Sequence, residues 1–274
     1  MDAPLTAPIP TTSTSSFGQL LRAWRERRRL TQLDLSVGAG VSTRHLSFLE
    51  TGRSSPSRAM VLTLAEHLDL PLRERNVLLA AAGFAPAYPH RALEAPEMGP
   101  IRAAIDTVLR GHEPYPAIAV DRYWNIMAMN DPAALFAEGV APHLLDPPNA
   151  YRLSLHPEGL ASRVVNLPEV AHHLLGRLRH DVAVTGDPEL AALLEEVETY
   201  PTVSGLPRAL ADATWIVVPL RLRDPRGELA MFTTVTTFGT PADVTVDELA
   251  LETFFPADAA TAERLRTMAA RRAD

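Results

Sequence analysis

The stretch TQLDLSVGAGVSTRHLSFLETG, residues 31–52, decides the fold of the N-terminal part of the chain. Two short helical segments flank a corner that contains Gly38 and Gly40. A short turn with glycine is typical of two helices that cross steeply, because glycine lets their backbones approach each other. Ser42 follows the corner and is a preferred N-cap residue for the second segment. The stretch therefore predicts a helix-turn-helix.

The second of these helices has one apolar and one polar side. Leu46 and Leu49 recur at the helical spacing of a buried stripe, and Val41 packs just ahead of them. Small hydroxyl groups beside a guanidinium group suit insertion into the major groove of duplex DNA. We therefore predict that the outer face reads bases; it carries Thr43, Arg44, Ser47 and Phe48.

The surrounding sequence predicts a small basic helical bundle. Five short amphipathic helices are expected between residues 17 and 83. Residues 17–85 contain ten arginines and six acidic residues, whereas the whole chain of 274 residues has a net charge of −7. This asymmetry indicates that one end of the chain meets a polyanion. Four arginines end the first helix, and they form either a solvated face or a set of phosphate contacts: Arg25, Arg27, Arg28 and Arg29.

Residues 17–83 resemble the lambda-repressor-like helix-turn-helix of the xenobiotic-response-element (XRE) family. Thr-Gln opens the second helix, Gly-Val-Ser enters the third, and Leu-Glu-x-Gly-Arg leaves it. The resemblance implies that Gln32 and Arg53 contact phosphates. At Phe48 the family usually carries a polar or basic residue, so Phe48 either contacts a thymine methyl group or packs against the fourth helix. The predicted DNA-binding residues are Gln32, Ser42, Thr43, Arg44, Ser47, Phe48 and Arg53.

The rest of the chain predicts a second domain of another class. We expect a disordered tail at 1–16, the DNA-binding domain at 17–84 and a proline-rich linker at 85–99. Residues 100–272 show helical periodicity, with strand signals in PAIAVDRYWNIMAMN and in the hairpin WIVVPLRLRDPRGELAMFTTVTTFG. The fold class is therefore mainly α, with an α+β second domain.

The second domain is similar to the ligand-binding domain of MmyB-like transcription regulators, through PAIAVDRYWNIMAMNDPAALF and VTTFGTPADVTVDELALETFFPAD. This resemblance implies a PAS-like fold that holds a small hydrophobic or fatty-acid-like ligand, with no certain cofactor. Methionines adapt to variable ligands but are also ordinary core residues, and Arg163 or Arg177 could pair with a ligand carboxylate. The predicted ligand-binding residues are Met127, Met129, Phe136, Arg163, Leu174, Leu178 and Met231.

Other chemistries find little support in the sequence. The chain has no cysteine, no nucleophile elbow, no zinc-protease motif and no glycine-rich phosphate loop, so we predict no enzyme. His143, His156, His172 and His173 lack a convincing ligand spacing, and no metal site is predicted. No apolar run is long enough for a membrane helix, and we expect a cytoplasmic protein with no membrane partner.

Two functions are compatible with these patterns. The favoured hypothesis is a homodimeric transcription regulator, a repressor, that binds a palindromic double-stranded DNA operator and responds to a small hydrophobic ligand. The alternative is a helical protein-interaction module, antitoxin-like or RNA-polymerase-binding, whose second domain serves only dimerisation.

Overall fold

The structure is a computed structural model that describes residues 16–206 and 218–273. It divides into two compact units. One contains the residues up to Arg91 together with 180–191 and 240–247, and the other contains 92–179, 192–239 and the residues from Glu248 onward. Residues 1–15 of the tail predicted at 1–16 and the start of the predicted hairpin at 215–217 lie outside the described residues. Ser16, the last residue of the predicted tail, is described and caps the first helix.

The first unit contains the predicted bundle of five short helices. Four of them begin at a serine or threonine whose hydroxyl accepts a backbone N–H three residues later: Ser16, Thr31, Ser42 and Ser57. These caps satisfy amide groups that the first helical turn leaves without a partner. The helices are α1 (Phe17–Arg27), α2 (Gln32–Gly38), α3 (Thr43–Glu50), α4 (Arg58–His67) and α5 (Leu72–Ala81).

The apolar stripes of these helices meet in one core. Leu21, Leu46 and Leu64 are completely buried there. Helix α1 approaches the end of α3 closely at Gly18, where an added Cβ would lie 2.4 Å from the carbonyl oxygen of Glu50. Only glycine fits such an approach, since real Cβ contacts are never that short. The glycine in FGQLL therefore sets the distance between α1 and α3.

The beginning of the proline-rich stretch is held on α5. The side chain of Asn76 donates to the carbonyl of Tyr88 at 2.7 Å and accepts from the amides of Ala87 and Tyr88 at 2.9 and 3.1 Å. The division between the two units follows Arg91, inside the stretch predicted as a linker. Residues 87–88 thus belong to the bundle.

The second unit is an α+β domain. Its strands are β1 (Ala117–Val120), β2 (Ile126–Met129), β3 (Leu220–Leu222), β4 (Leu229–Thr237) and β5 (Ala250–Pro256). Its helices are α6 (Gly99–Gly111), α7 (Ala150–Leu155), α8 (Leu167–Thr185), α9 (Pro188–Glu198), α10 (Pro201–Ser204) and α12 (Ala259–Ala273). The end of α8, the start of α9 and the whole of α11 (Val244–Asp247) group with the first unit. Short 3-10 helices occur at Pro96–Met98, Asp131–Phe136, Pro142–Leu144 and Leu160–Ser162. The strands form an antiparallel sheet with the order β2-β1-β5-β4-β3. This arrangement agrees with the PAS-like fold class predicted from the sequence.

Three features of this unit do not follow from local sequence patterns. The segment after β2 is a 3-10 helix capped by Asn130, whose side chain accepts from the amide of Ala133. A bulge in β2 makes Met127 an extra residue, so that regular alternation fails there. Strand β5 occupies the centre of the sheet, although the strand signals in the sequence lie in the segments of the other four strands.

The helices among residues 16–206 and 218–273 include none that is both long and apolar enough to cross a bilayer.

Candidate DNA interface and ligand cavity

The turn between α2 and α3 has the geometry that the glycine pattern predicts. Gly40 has a φ of +66°, a left-handed conformation that residues with a Cβ rarely adopt. The amide of Val41 donates to the carbonyl of Ser36 at 2.9 Å and closes the turn. The hydroxyl of Ser42 accepts from the amide of His45 at 3.1 Å. These bonds fix the direction in which α3 leaves the turn.

Helix α3 presents a polar face to the surroundings. Leu46 and Leu49 are 0% exposed in the bundle core. The predicted DNA-binding residues lie on the other side: Ser42, Thr43, Arg44 and Arg53 are exposed, and Gln32, Ser47 and Phe48 are half-buried. The hydroxyl of Thr43 lies 3.0 Å from that of Ser36, so its position is fixed by α2. Contact of these side chains with DNA remains a prediction.

Two arginines lie close to the ring of Phe48. The guanidinium carbon of Arg44 is 5.3 Å from the centre of its ring, and that of Arg53 is 6.0 Å away. Both distances suit cation–π interactions, which hold a cation over an aromatic face. Phe48 is not part of the buried cluster of the bundle. It therefore serves as a platform that orders two cations on the outer face of α3.

Gln32 is attached to a buried ion pair. Its side-chain amide donates to Glu50 at 2.8 Å, while Arg25 donates to both carboxylate oxygens of Glu50 at 2.6 and 3.0 Å. The hydrogen bond to Glu50 raises the pKa of Arg25 above its ordinary value. A bidentate arginine–carboxylate pair is geometrically specific. This network fixes α1, α2 and α3 relative to one another and places Gln32 at the start of α2.

The arginines at the end of α1 do not form the solvated face considered from the sequence. Arg25 is buried, Arg28 donates to the carbonyls of Leu68 and Asp69 at 2.9 and 2.6 Å, and Arg27 donates to main-chain carbonyls at 3.3 and 3.1 Å. Backbone carbonyls at helix ends are natural partners for guanidinium groups. Three of the four arginines thus stabilise the unit itself, and Arg29 is exposed.

The second unit contains a cavity with two lobes between the sheet and the segments that follow β2. The larger lobe has a volume of about 260 Å³ and the smaller one about 80 Å³. Five residues line both lobes, so the two adjoin each other: Ala150, Ser154, Leu220, Glu252 and Phe254. Together the lobes reach the lower end of the range for small-molecule sites, about 300 Å³ and upward, which are mostly apolar with a few placed polar groups.

The structure places the predicted ligand-binding residues unequally. Met129 and Phe136 line the larger lobe and Leu174 lines the smaller one. The remaining four do not line either lobe: Met127, Arg163, Leu178 and Met231.

A physical reason accounts for each of these four positions. Met127 is the extra residue of the bulge and points outward, with 40% of its surface exposed. Leu178 and Met231 are fully buried in the core. Arg163 donates to the carbonyls of Leu135 and Glu138 at 3.2 and 2.7 Å and so has a structural role.

Sequence reasoning missed the main acidic group of the cavity. Glu252 lies on β5 and lines both lobes. Burial raises the pKa of its carboxyl group, while Arg177 and a hydrogen bond with Thr233 act in the opposite direction. The sequence signal for this group is a glutamate within the otherwise largely apolar segment LALETFFP. If this segment is assigned to a strand, Glu252 and every second residue share one face of the sheet.

The smaller lobe has a strained wall. Trp124 has a φ of +65°, which is uncommon for a bulky residue and costs on the order of 1–3 kcal/mol. The guanidinium carbon of Arg177 lies 4.1 Å from the centre of the Trp124 ring, and Tyr151 meets the same ring edge-on at 5.3 Å. Strain of this kind clusters at ligand sites.

Comparison with known proteins identifies the second unit. The family model of the MmyB-like transcription regulator ligand binding domain matches residues 101–268. The chain belongs to this family. A helix-turn-helix domain model matches residues 16–78 of the same MmyB-like chain.

The relatives found for this MmyB-like chain match a minor part of it. The uncharacterized HTH-type transcriptional regulator RghRB of Bacillus subtilis is 40% identical over 84 residues, which are 30% of this chain and 58% of RghRB. The HTH-type transcriptional repressor RghR of the same organism is 46% identical over 57 residues, 20% of this chain and 42% of RghR. The uncharacterized HTH-type transcriptional regulator Rv0023 of Mycobacterium tuberculosis is 40% identical over 70 residues, 26% and 27% of the two chains. The match thus spans less than two thirds of each relative.

Among the residues of the second unit that the structure describes, three side chains of metal-ligand type lie close together. Single ligand atoms of His143, His156 and Glu158 lie within 4.8 Å of one another. The Nδ1 atom of His156 accepts from the amide of Glu158 at 3.1 Å. Its other ring nitrogen then carries the proton in the neutral tautomer and has no lone pair for a metal. The arrangement is that of a surface hydrogen bond.

Proposed function

We propose that this chain is a DNA-binding transcription regulator of the repressor type, with duplex DNA bound to the outer face of α3. The observation that carries the proposal is the exposed position of Arg44 and Arg53, both close to the ring of Phe48. Two cations and an apolar ring on the outer face of the second helix of a helix-turn-helix suit contact with the major groove. The name of RghR supports the repressor reading.

The proposed operator is a palindrome bound by a symmetric dimer. Helix-turn-helix regulators place the α3 helices of two protomers in successive major grooves, about one helical turn or about 34 Å apart. Cation–phosphate contacts make such binding steeply dependent on salt. We propose that this takes place in the cytoplasm and that a small apolar molecule in the two-lobed cavity changes the affinity for DNA. By linkage, DNA then changes the affinity for that molecule by the same factor.

The DNA part of the proposal can be tested with Arg44→Ala. A preferred duplex is first selected from a random pool with the full-length protein, and affinities for it and for a scrambled duplex are measured by fluorescence anisotropy. We expect Arg44→Ala to weaken binding to the selected duplex by about 1–3 kcal/mol and to reduce the preference over the scrambled one. Arg110→Ala is the matched control, because Arg110 is an exposed arginine of α6 in the other unit.

The Arg53→Ala variant tests whether Arg53 contacts the phosphate backbone of DNA and does not read the bases. A phosphate-contacting arginine contributes equally on every sequence, so its loss should weaken both duplexes alike and reduce the slope of log affinity against log salt by about one. Full affinity and selectivity in both variants would exclude α3 as the reading helix. Absence of any preferred duplex, with weak dependence on salt, would favour the alternative of a protein-interaction bundle.

The ligand part has a separate test. Native mass spectrometry of the full-length protein should show a co-purified small apolar molecule or, after extraction, a gain in mass on addition of decan-1-ol. The rings of Phe136 and Phe254 line the larger lobe, tilted by 50° with 4.7 Å between their centres. Binding there can also be followed by the melting temperature of the protein. A ligand that binds only the folded state raises that temperature. No bound mass and no change in melting temperature would leave the second unit without a ligand function.

A further inference from the structure

The outer face of α3 carries an aromatic side chain that the core of the first unit does not use. Phe48 is half-buried, but it belongs neither to the buried cluster of the bundle nor to the apolar residues packed against that cluster. Leu46 and Leu49, which are 0% exposed, anchor the helix on its other side. Packing of the bundle therefore does not account for an aromatic residue at this position.

Arg44 and Phe48 lie one helical turn apart on the same face of α3. Residues at positions i and i+4 of a helix are neighbours at its surface, and the guanidinium carbon of Arg44 is 5.3 Å from the centre of the Phe48 ring. An arginine over an aromatic face is held there by cation–π attraction and by stacking. Arg44 therefore loses less conformational freedom when its guanidinium group binds an acceptor.

The residues that follow α3 hold Phe48 from the other end. The carbonyl of Phe48 accepts from the amides of Arg53 and Ser54 at 2.8 and 3.2 Å, which keeps these residues beside the helix. The guanidinium carbon of Arg53 lies 6.0 Å from the centre of the Phe48 ring. The ring is thus fixed relative to two exposed cations, on the face that the proposed function assigns to the major groove.

The major groove offers a distinct partner to each of these groups. Guanine presents its N7 and O6 atoms as acceptors, which arginine contacts with two hydrogen bonds, and thymine presents a C5 methyl group, which apolar side chains contact. Successive bases of one strand are about 3.4 Å apart along the helix axis. A guanidinium group and a ring whose centres are 5.3 Å apart therefore suit contacts with neighbouring base pairs.

We propose that Arg44 and Phe48 read two adjacent base pairs together, Arg44 through the O6 and N7 atoms of a guanine and Phe48 through the C5 methyl group of a thymine. This inference rests on the proposed binding of DNA by α3 and specifies which bases the helix recognises. Phe48 is then a specificity-determining residue, because it makes a methyl group of the operator part of the recognised pattern. Arg53 keeps its separate task as a phosphate contact.

The test removes single groups from the DNA while the full-length protein stays unchanged. In the duplex selected from the random pool, one guanine at a time is replaced by 7-deazaguanine and one thymine at a time by deoxyuridine. The first replacement removes the N7 acceptor, and the second removes only the methyl group. The affinity of the protein for each duplex is measured by fluorescence anisotropy.

We expect one sensitive guanine and one sensitive thymine on adjacent base pairs of a half-site. Loss of the N7 acceptor should weaken binding at least about fivefold, which is the lower end of the discrimination that a bidentate arginine provides. Loss of the methyl group should weaken binding about fourfold, as expected when one methyl group is taken from an apolar contact.

Protein variants assign each effect to its residue. Phe48→Ala should bind the thymine and deoxyuridine duplexes equally well, because the partner of the methyl group is gone, whereas Phe48→Leu keeps an apolar side chain and should keep a preference for thymine of at least about twofold. Arg44→Ala should bind the guanine and 7-deazaguanine duplexes equally well. Val77→Ala is the control, because Val77 is an exposed apolar residue on α5 of the same unit, and it should retain both preferences.

The outcomes distinguish this inference from the proposed function. If no deoxyuridine replacement weakened binding, or if Phe48→Ala kept the wild-type preference for thymine, Phe48 would not read the methyl group and the inference would be wrong. A sensitive thymine that is not adjacent to the sensitive guanine would also overturn it. In these cases reading of DNA by α3 would still stand wherever Arg44→Ala lost selectivity. If the protein selected no preferred duplex, the inference and the proposed function would both be refuted.

Discussion

Glu50 of the first unit and Glu252 of the second are acids with different surroundings. Glu50 has a side chain that is 3% exposed and accepts three N–H groups, two from Arg25 and one from Gln32. Glu252 is half-buried and lines a cavity, where Thr233 acts on it through a hydrogen bond and Arg177 through its charge. Glu50 therefore has a full set of donors that replace the lost water, and Glu252 has fewer.

This difference separates an acid that holds elements of the fold together from one that lines a cavity. A carboxylate with a full set of donors fixes the elements that supply them, and its removal leaves other charges unpaired. A carboxyl group with an incomplete set next to empty space is poised to gain a partner from solution. The comparison therefore makes opposite predictions for substitutions at the two positions.

The largest expected effect follows removal of the structural acid. Glu50→Ala leaves the guanidinium of Arg25 buried without its carboxylate, and we expect a loss of about 3–5 kcal/mol in the free energy of unfolding of the first unit. Urea denaturation followed by helical circular dichroism measures it. Glu198→Gln is the control, because the Arg179–Glu198 pair is exposed and its loss should cost less than about 1 kcal/mol. Equal effects of the two substitutions would contradict the structural role.

The next effect tests the close approach that brings Arg25 within reach of Glu50. Gly18→Ala would place a Cβ 2.4 Å from the carbonyl oxygen of Glu50 and force α1 away from α3. We expect about 1–3 kcal/mol of destabilisation in the same denaturation experiment. Gly176→Ala is the opposite case, since nothing lies within 4 Å of a Cβ at that helical position. It should stabilise the protein by up to about 1 kcal/mol through helix propensity.

The smallest effect concerns the acid of the cavity and has the opposite sign. The folded pKa of Glu252 is raised above its unfolded value, so the folded state binds more protons and the wild type loses stability as pH rises from the unfolded pKa through the folded one. Glu252→Gln removes this loss. The variant should match the wild type near pH 4 and exceed its melting temperature in mildly basic solution. If the variant were less stable than the wild type at high pH, the charge of Glu252 would stabilise the fold, as that of Glu50 does.

The two units were unequally predictable from the sequence. In the bundle, caps, glycines and buried leucines act within a few residues, so the helices and the exposed face of α3 could be predicted from local patterns. In the second unit, Glu252 is part of a cavity wall only because β5 pairs with β1 and β4. In the sequence, β1 lies more than a hundred residues from β5 and β4 lies about fifteen residues from it. Such pairings have no local signature, and the roles of Arg25 and Arg28 depended equally on partners distant in the chain.

The bulge in β2 has a consequence for chain length among related sequences. Ile126 pairs with Val120 and Met129 pairs with Ile118, and Met127 is the residue left over between them. Deleting one residue inside an ordinary strand turns every later side chain of that strand to the opposite face of the sheet. Deleting Met127 would instead restore regular alternation while Ile126 and Met129 kept their places in the wall of the larger lobe. A one-residue gap is therefore expected to be tolerated at this position in homologues that retain the same cavity.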